Sequence, residues 1–117
     1  MRGLIVALWL TCATSAYAQA PDGPITAGEM ADICRAAPGI DPQSHAQCVM
    51  FVSGVMLGYT AAYEPMTGRM FYCPRKGWKL QHLIDHFVVA VDETPARRGL
   101  NAEIVILNVA RTNYPCT

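Results

Sequence analysis

The sequence predicts an all-α fold, a small disulfide-stapled bundle of about four helices. Apolar residues recur at helical spacing in long segments, no segment keeps the alternation of a strand, and the cysteines that follow an export-type N-terminus are even in number. The chain has 117 residues, with nine basic and nine acidic side chains. It is therefore long enough for one domain, and it has no excess charge to attract nucleic acid or an anionic membrane.

The N-terminus has the layout of a cleaved secretory signal. Arg2 precedes the apolar run GLIVALWLTCA, and Ala16 and Ala18 place small residues at −3 and −1 of a cleavage site. The run is too short to span a bilayer, and the threonine before the first cysteine disfavours a lipoprotein. We expect a signal peptide over residues 1–18, cleavage after Ala18, and a periplasmic domain over residues 19–117 that is not attached to the membrane.

The cysteines that remain after cleavage predict two disulfides, because an exported chain meets an oxidising compartment. They are Cys34, Cys48, Cys73 and Cys116. No C-x-x-C spacing is present, which disfavours zinc and excludes a c-type haem site. Short connections make successive helices antiparallel, so the end of the first helix lies beside the start of the second. The start of the third likewise lies beside the end of the fourth. This geometry predicts the pairs Cys34–Cys48 and Cys73–Cys116.

The first helix has a clear start signal. Thr26 followed three residues later by Glu29 forms a capping box. We therefore expect a short helix that starts near Ala27 and ends before Pro38.

The second helix is predicted over residues 45–63, after a capping box formed by Ser44 and Gln47. Its segment CVMFVSGVMLGYTAAY has no charge, so we expect a central helix that is buried on most sides. Polar and glycine interruptions disfavour a membrane span. Gly54 and Gly58 lie one turn apart, which predicts close approach of a neighbouring helix backbone rather than a membrane dimer motif.

The second half of the chain alternates connections with two amphipathic helices. Residues 64–79 form a long connection with two prolines and two glycines, and the third helix covers residues 80–93. Pro95 ends that helix, and a basic turn leads to a fourth helix over residues 100–112. The expected core stripes are Leu80, Leu83, Ile84, Phe87, Val88 and Val91 in the third helix, and Ala102, Val105, Ile106 and Val109 in the fourth.

The sequence contains no arrangement of residues typical of catalysis. Ser44 is explained as a cap, and Ser53 lies in an apolar helix without a neighbouring acid or base. His82 and His86, with Asp85 between them, have the spacing of a metal pair, but the apolar stripe on the other side of this helix predicts that they face solvent. We expect no enzymatic activity, no cofactor and no bound metal.

Two surfaces are candidates for binding a protein partner. The connection over residues 64–79 contains aromatic, methionine and arginine side chains, which are enriched at interfaces and their hot spots. The candidate residues are Met66, Arg69, Phe71, Arg75 and Trp78. The alternative for Phe71 and Trp78 is that they attach the connection to the core.

The second candidate surface is the side of the fourth helix opposite its core stripe. Leu100, Ile104, Leu107 and Arg111 recur there at helical spacing. A second apolar stripe on a helix of a small bundle predicts contact with a partner or with a second copy of the chain. The alternative is that the helix is central.

An ordered set of short motifs extends over roughly residues 30–116. A helix has the form Cys-x-x-aromatic-x-x-Gly, an aromatic-Cys-x-Pro turn is followed by a glycine, an amphipathic helix ends at a proline, and the last helix closes in aromatic-Pro-Cys. The matching residues are Cys48, Phe51, Gly54, Tyr72, Cys73, Pro74, Gly77, Pro95, Ala102, Val105, Tyr114, Pro115 and Cys116. This set resembles the Rap/Tai-type immunity proteins of bacterial type VI secretion. The chain departs from their pattern at Leu57, Lys79 and His82.

The resemblance implies a periplasmic inhibitor, often dimeric, that blocks a peptidoglycan-cleaving amidase delivered by sibling cells and does no chemistry itself. A different class of function is an acid-stress chaperone, or a general helical binding protein, because such chaperones are also small, helical and disulfide-bonded. An acid-stress chaperone releases apolar surface when its carboxylates become protonated at about pH 2–3. The two functions are distinguished by whether the protein prevents aggregation of unrelated proteins at that pH or instead binds one amidase at neutral pH.

Overall fold

The structure, a computed structural model, describes residues 23–117 and contains four α-helices and no strand in that range. The helices are α1 (Ala27–Cys34), α2 (Pro42–Thr67), α3 (Leu80–Glu93) and α4 (Ala102–Asn113), with a short 3₁₀ helix at Pro95–Gly99 between the last two. The predicted fold class is confirmed. The predicted signal peptide and its cleavage site lie outside the described residues.

The predicted capping box at the start of α1 is confirmed. The Glu29 backbone N–H donates to the Thr26 hydroxyl at 3.3 Å, and the Thr26 backbone N–H donates to Oε2 of Glu29 at 2.9 Å. The hydrogen bonds from the Thr26 backbone N–H and then its hydroxyl hold the pKa of Glu29 below its ordinary value of 4.5. Folding therefore favours the ionised form of Glu29.

Replacing Thr26 with alanine removes the cap from α1. We expect Thr26→Ala to lower the free energy of unfolding by about 1 kcal/mol at neutral pH. Because folding lowers the pKa of Glu29, the ionised Glu29 stabilises the folded state at neutral pH, and this stabilisation is lost as the pH falls below 4.5. Urea denaturation at pH 7 and at lower pH measures both effects. An unchanged urea midpoint at pH 7 would contradict the role of the cap.

The ends of α2 differ from the prediction. Asp41, rather than Ser44, caps the helix, because its carboxylate accepts the Ser44 backbone N–H at 3.0 Å. Pro42 then occupies a first-turn position, where its missing N–H costs nothing. At the other end the helix continues through Pro65 and stops at Gly68, whose φ of 65° is left-handed. The predicted Ser44–Gln47 capping box and the start of the connection at residue 64 were wrong.

The prediction that α2 is buried on most sides was also wrong. Only Cys48, Val52 and Met56 of this helix are buried. A methyl group added at Gly54 or Gly58 would have no atom of a neighbouring element within 4 Å. No helix backbone therefore approaches these glycines in the described part of the chain. The helix is long and apolar enough to cross a membrane by length and composition alone. In the structure one side of it packs on α1, α3 and α4, and the other side is open.

Both predicted disulfide pairs are confirmed. Cys34 is bonded to Cys48, and Cys73 to Cys116, each with 5.0 Å between the Cα atoms. The first bond joins the end of α1 to the first turns of α2. The second joins the connection before α3 to the segment after α4, as the antiparallel arrangement of successive helices predicts.

The core lies between α3, α4 and one side each of α1 and α2. Leu83 and Phe87 of α3 and Ile106 of α4 are fully buried at its centre. The four predicted core residues of α4 are all buried, but this helix starts two residues later than predicted. Asn101 caps it by accepting the Glu103 backbone N–H at 2.9 Å.

Candidate partner-binding surface

The connection between α2 and α3 is held against the C-terminal segment, and we call its residues 68–79 the stapled loop. The Cys73–Cys116 disulfide closes a separation of 43 residues. Beside it, the Cys73 backbone N–H donates to the Tyr114 carbonyl at 2.8 Å. A segment rich in glycine and proline is thereby fixed at its middle.

Phe71 anchors the first half of the stapled loop to α2. Its side chain is only 8% exposed. The ring meets those of Tyr59 and Tyr63 edge-on, with centroid distances of 4.5 and 5.3 Å. Such aromatic contacts add to the free energy of burial. Phe71 was a candidate contact residue, and the structure places it in the core instead, where it positions the loop.

Trp78 anchors the second half of the stapled loop and is half-buried. Its ring lies edge-on to Tyr72 and Tyr114, at centroid distances of 5.9 and 5.8 Å. Burial raises the pKa of the Tyr72 hydroxyl above its ordinary value of 10.0. The Trp78 indole N–H and the Tyr114 hydroxyl are buried and have no hydrogen-bond partner among residues 23–117. Ring packing, rather than a side-chain hydrogen bond, holds the Trp78 indole in place.

This packing gives a prediction for two substitutions of Trp78. We expect Trp78→Phe to change the free energy of unfolding by less than about 1 kcal/mol, because the smaller ring is offset by removal of an unpaired buried donor. Trp78→Ala should cost about 2 kcal/mol, since the side chain is half-buried. Urea denaturation of the two variants measures the difference. Equal losses for phenylalanine and alanine would contradict the account.

Two grooves flank the Cys73–Cys116 disulfide. The first has a volume of about 480 Å³ and includes Arg69, Met70 and Arg111 in its lining. The second has a volume of about 770 Å³, and its lining includes Arg75, Lys76, Gly77, Trp78, His86 and Tyr114. Cys73 and Pro115 line both. The structure thus brings five of the predicted contact residues to the two sides of one disulfide: Arg69, Phe71, Arg75, Trp78 and Arg111.

The stapled loop is strongly cationic. Its segment RMFYCPRKGWK has four basic side chains and no acidic one. Arg35 and Arg98 form all the ion pairs among residues 23–117, with Asp32 and Asp92. No carboxylate in that range therefore lies within 4.0 Å of a cation of the stapled loop.

The two histidines of α3 are exposed, as predicted, and line the second groove. His82 Nδ1 accepts the Lys79 backbone N–H at 3.2 Å, so this ring covers the start of α3. The His86 ring lies 6.0 Å from the Tyr114 ring. No group of three or more potential metal ligands occurs among the described residues.

The predicted stripe on α4 is only partly exposed. Ile104 is 63% exposed, whereas Leu107 packs against the core. Leu100 precedes the helix, and its carbonyl accepts the Ala27 backbone N–H at 2.7 Å. Arg111 lies in the first groove, next to the stapled loop. The exposed remainder of this surface is Leu100 and Ile104.

Some surface residues were missed by the sequence analysis, and one was misplaced. Lys76 belongs to the same basic run as Arg75, and its charge was the available signal. Met50 and Leu57 are exposed on α2 because the helix turns this side away from the bundle, which no local pattern reveals. Met66 is highly exposed, but it lies in the last turn of α2 and not in the connection.

The fold and this surface define a class: a small helical domain, closed by two disulfides, that presents a cationic loop between two grooves. The family model for Rap1a immunity proteins matches residues 26–116. The chain belongs to this family, the immunity proteins against type VI secretion amidases. Neither a curated protein nor a solved structure matches the chain. Membership of the family implies that the chain binds a protein effector.

Proposed function

We propose that this protein acts in the periplasm, where it binds and blocks a peptidoglycan amidase effector of type VI secretion. The observation that most supports this proposal is the family match over nearly the whole described domain. The signal-like N-terminus and the two disulfides fit an oxidising compartment. The choice of an amidase as the target is supported by the family match alone.

The stapled loop is the surface that best fits this role. Binding energy is lost when a flexible segment must be ordered, and the disulfide, Phe71 and Trp78 fix this loop before the partner arrives. The loop then presents Arg69 and Arg75, which no described carboxylate neutralises. Arginine beside half-buried aromatic rings is the composition of an interface hot spot.

We further propose that the protein inhibits by occupation of the effector alone, without chemistry of its own. All four cysteines of the described domain are in disulfides and so are not nucleophiles. The proposed activity is therefore stoichiometric, one inhibitor for each amidase.

The test of function and location is protection of cells. An amidase effector of the same organism, directed to the periplasm of a heterologous bacterium, is expected to lyse the cells. The full chain should prevent lysis, and a chain that lacks residues 2–18 should not, because it stays in the cytoplasm. Lysis despite the full chain would contradict the proposed function. Protection by the truncated chain would contradict the periplasmic location.

A homodimer is the second part of this proposal, and the exposed Ile104 beside Leu100 supports it. A charge at the centre of an apolar contact is costly to desolvate. Ile104→Asp is therefore expected to convert the dimer to a folded monomer, as measured by size-exclusion chromatography with light scattering. Exposed Glu103→Asp is the matched control and should leave the dimer intact. An unchanged mass for Ile104→Asp would contradict this contact.

A further inference from the structure

We infer that the second groove, between the stapled loop and the segment after α4, binds a carboxylate-rich surface of the protein partner. The inference rests on the proposed function only in taking that partner to be the effector. The chemistry of the groove itself points to carboxylates. Arg75, Lys76 and Trp78 of the stapled loop line one side of the groove, and Tyr114 of the segment after α4 lines the other.

The first argument is the distribution of charge. The whole chain is neutral, yet the stapled loop has four cations and no anion. Outside this loop Arg35 and Arg98 are paired with Asp32 and Asp92, whereas Arg97 and Arg111 form no ion pair among residues 23–117. A local excess of unneutralised charge steers and selects a partner of the opposite sign.

The second argument is the shape and rigidity of the groove. Its volume of about 770 Å³ admits several side chains of a partner. The Cys73–Cys116 bond fixes one wall to the other, so Arg75 and Lys76 stay close to the segment after α4. Guanidinium and ammonium groups donate charge-assisted hydrogen bonds to carboxylates, and the adjoining aromatic rings cover the aliphatic part of an aspartate or glutamate.

The third argument separates carboxylates from phosphates. Nucleic-acid binding draws on many phosphate contacts and is typical of chains with a net positive charge. This chain has no net charge, and all eight acidic side chains among residues 23–117 are exposed and lie outside the stapled loop. A short acidic protein surface that contacts the stapled loop alone avoids that repulsion.

The test measures binding of an acetylated hexaglutamate peptide by NMR, with the oxidised domain over residues 19–117. We expect the peptide at low salt to shift the Trp78 indole signal and the backbone amides beside Arg75 and Tyr114. The variant Arg75→Gln/Lys76→Gln should weaken peptide binding about fivefold or more, as two ion pairs are lost. The control Gln43→Glu/Gln47→Glu lowers the net charge by the same amount as Arg75→Gln/Lys76→Gln, but at exposed sites on α2. It should leave the peptide-induced shift of the Trp78 signal unchanged.

Several outcomes would overturn the inference. The first is that hexalysine shifts the Trp78 signal as much as hexaglutamate does. The second is that a hexathymidylate oligonucleotide binds more tightly than hexaglutamate. The third is that Arg75→Gln/Lys76→Gln does not reduce the shifts caused by hexaglutamate. Inhibition of the amidase that is unaffected between about 50 and 300 mM NaCl would also overturn it, and would leave the proposed function intact. Expected peptide binding with no inhibition of any amidase would instead overturn the proposed function and leave the carboxylate site intact.

Discussion

Replacing Cys73 and Cys116 with alanine is expected to lower the free energy of unfolding by about 4 kcal/mol. The bond closes a separation of 43 residues, and cross-linking so long a segment removes much of the entropy of the unfolded chain. A loss of this size is comparable to the whole stability of a small domain. Urea denaturation followed by circular dichroism measures it.

The same substitution should free the stapled loop. The Cys73 amide, which donates to the Tyr114 carbonyl, is expected to lose its protection from hydrogen exchange. Cys34→Ala/Cys48→Ala is the control: it opens a separation of 14 residues at the start of α2, whereas the stapled loop follows the end of that helix. It should leave that amide protected, although it costs about 3 kcal/mol. A loss below about 1 kcal/mol for Cys73→Ala/Cys116→Ala would contradict the stabilising role of this bond. Equal deprotection in both variants would contradict its role in ordering the loop.

The second large effect is expected at Leu83, which is fully buried at the centre of the core. Leu83→Ala should lower the free energy of unfolding by about 3 kcal/mol, because it removes buried methyl groups and leaves a cavity. Leu57→Ala makes the identical chemical change on α2, where the side chain is 70% exposed, and should cost less than about 0.5 kcal/mol. Urea denaturation at low protein concentration measures both.

This pair of leucines tests the finding that one side of α2 is open. If Leu57→Ala lowered the free energy of unfolding by more than about 2 kcal/mol, this finding would be contradicted, because only the truncation of a buried leucine has so large an effect. Repeating the measurement over a range of protein concentrations then shows whether another molecule of the protein packs on this side of α2. A cost that grows with concentration indicates a second copy of the chain.

Features set by local sequence were predictable. The capping box of Thr26 and Glu29 needs only residues three positions apart, and the stripe that includes Leu83 and Phe87 needs only the period of a helix. The two disulfides followed from one topological assumption, that successive helices are antiparallel. Each of these rests on contacts between neighbours in the chain or between neighbouring elements.

Features set by the rest of the fold were not predictable. The segment after Cys48 has no charge, and a uniformly apolar helix gives no signal for which side is covered. Pro65 indicates a break, yet in the last turn it removes one hydrogen bond and Gly68 supplies the stop. The predicted connection over residues 64–79 therefore includes the last turn of α2.

The candidate site was predictable in composition but not in arrangement. Arg69, Arg75 and Trp78 stood out because their types are common at interfaces, and all three line the grooves beside the disulfide. Phe71 is of the same type, but two tyrosines of α2 bury it, and that contact depends on where the preceding helix ends. Arg111 was assigned to the α4 stripe, because its place beside the stapled loop depends on how α4 is oriented against that loop.

The most direct measurement is inhibition of a purified type VI amidase effector of the same organism by the oxidised domain. Release of peptide fragments from peptidoglycan is followed at neutral pH while the domain is titrated in. The account predicts that hydrolysis stops when the domain and the enzyme are equimolar. Undiminished hydrolysis in the presence of excess folded, disulfide-bonded domain would contradict it.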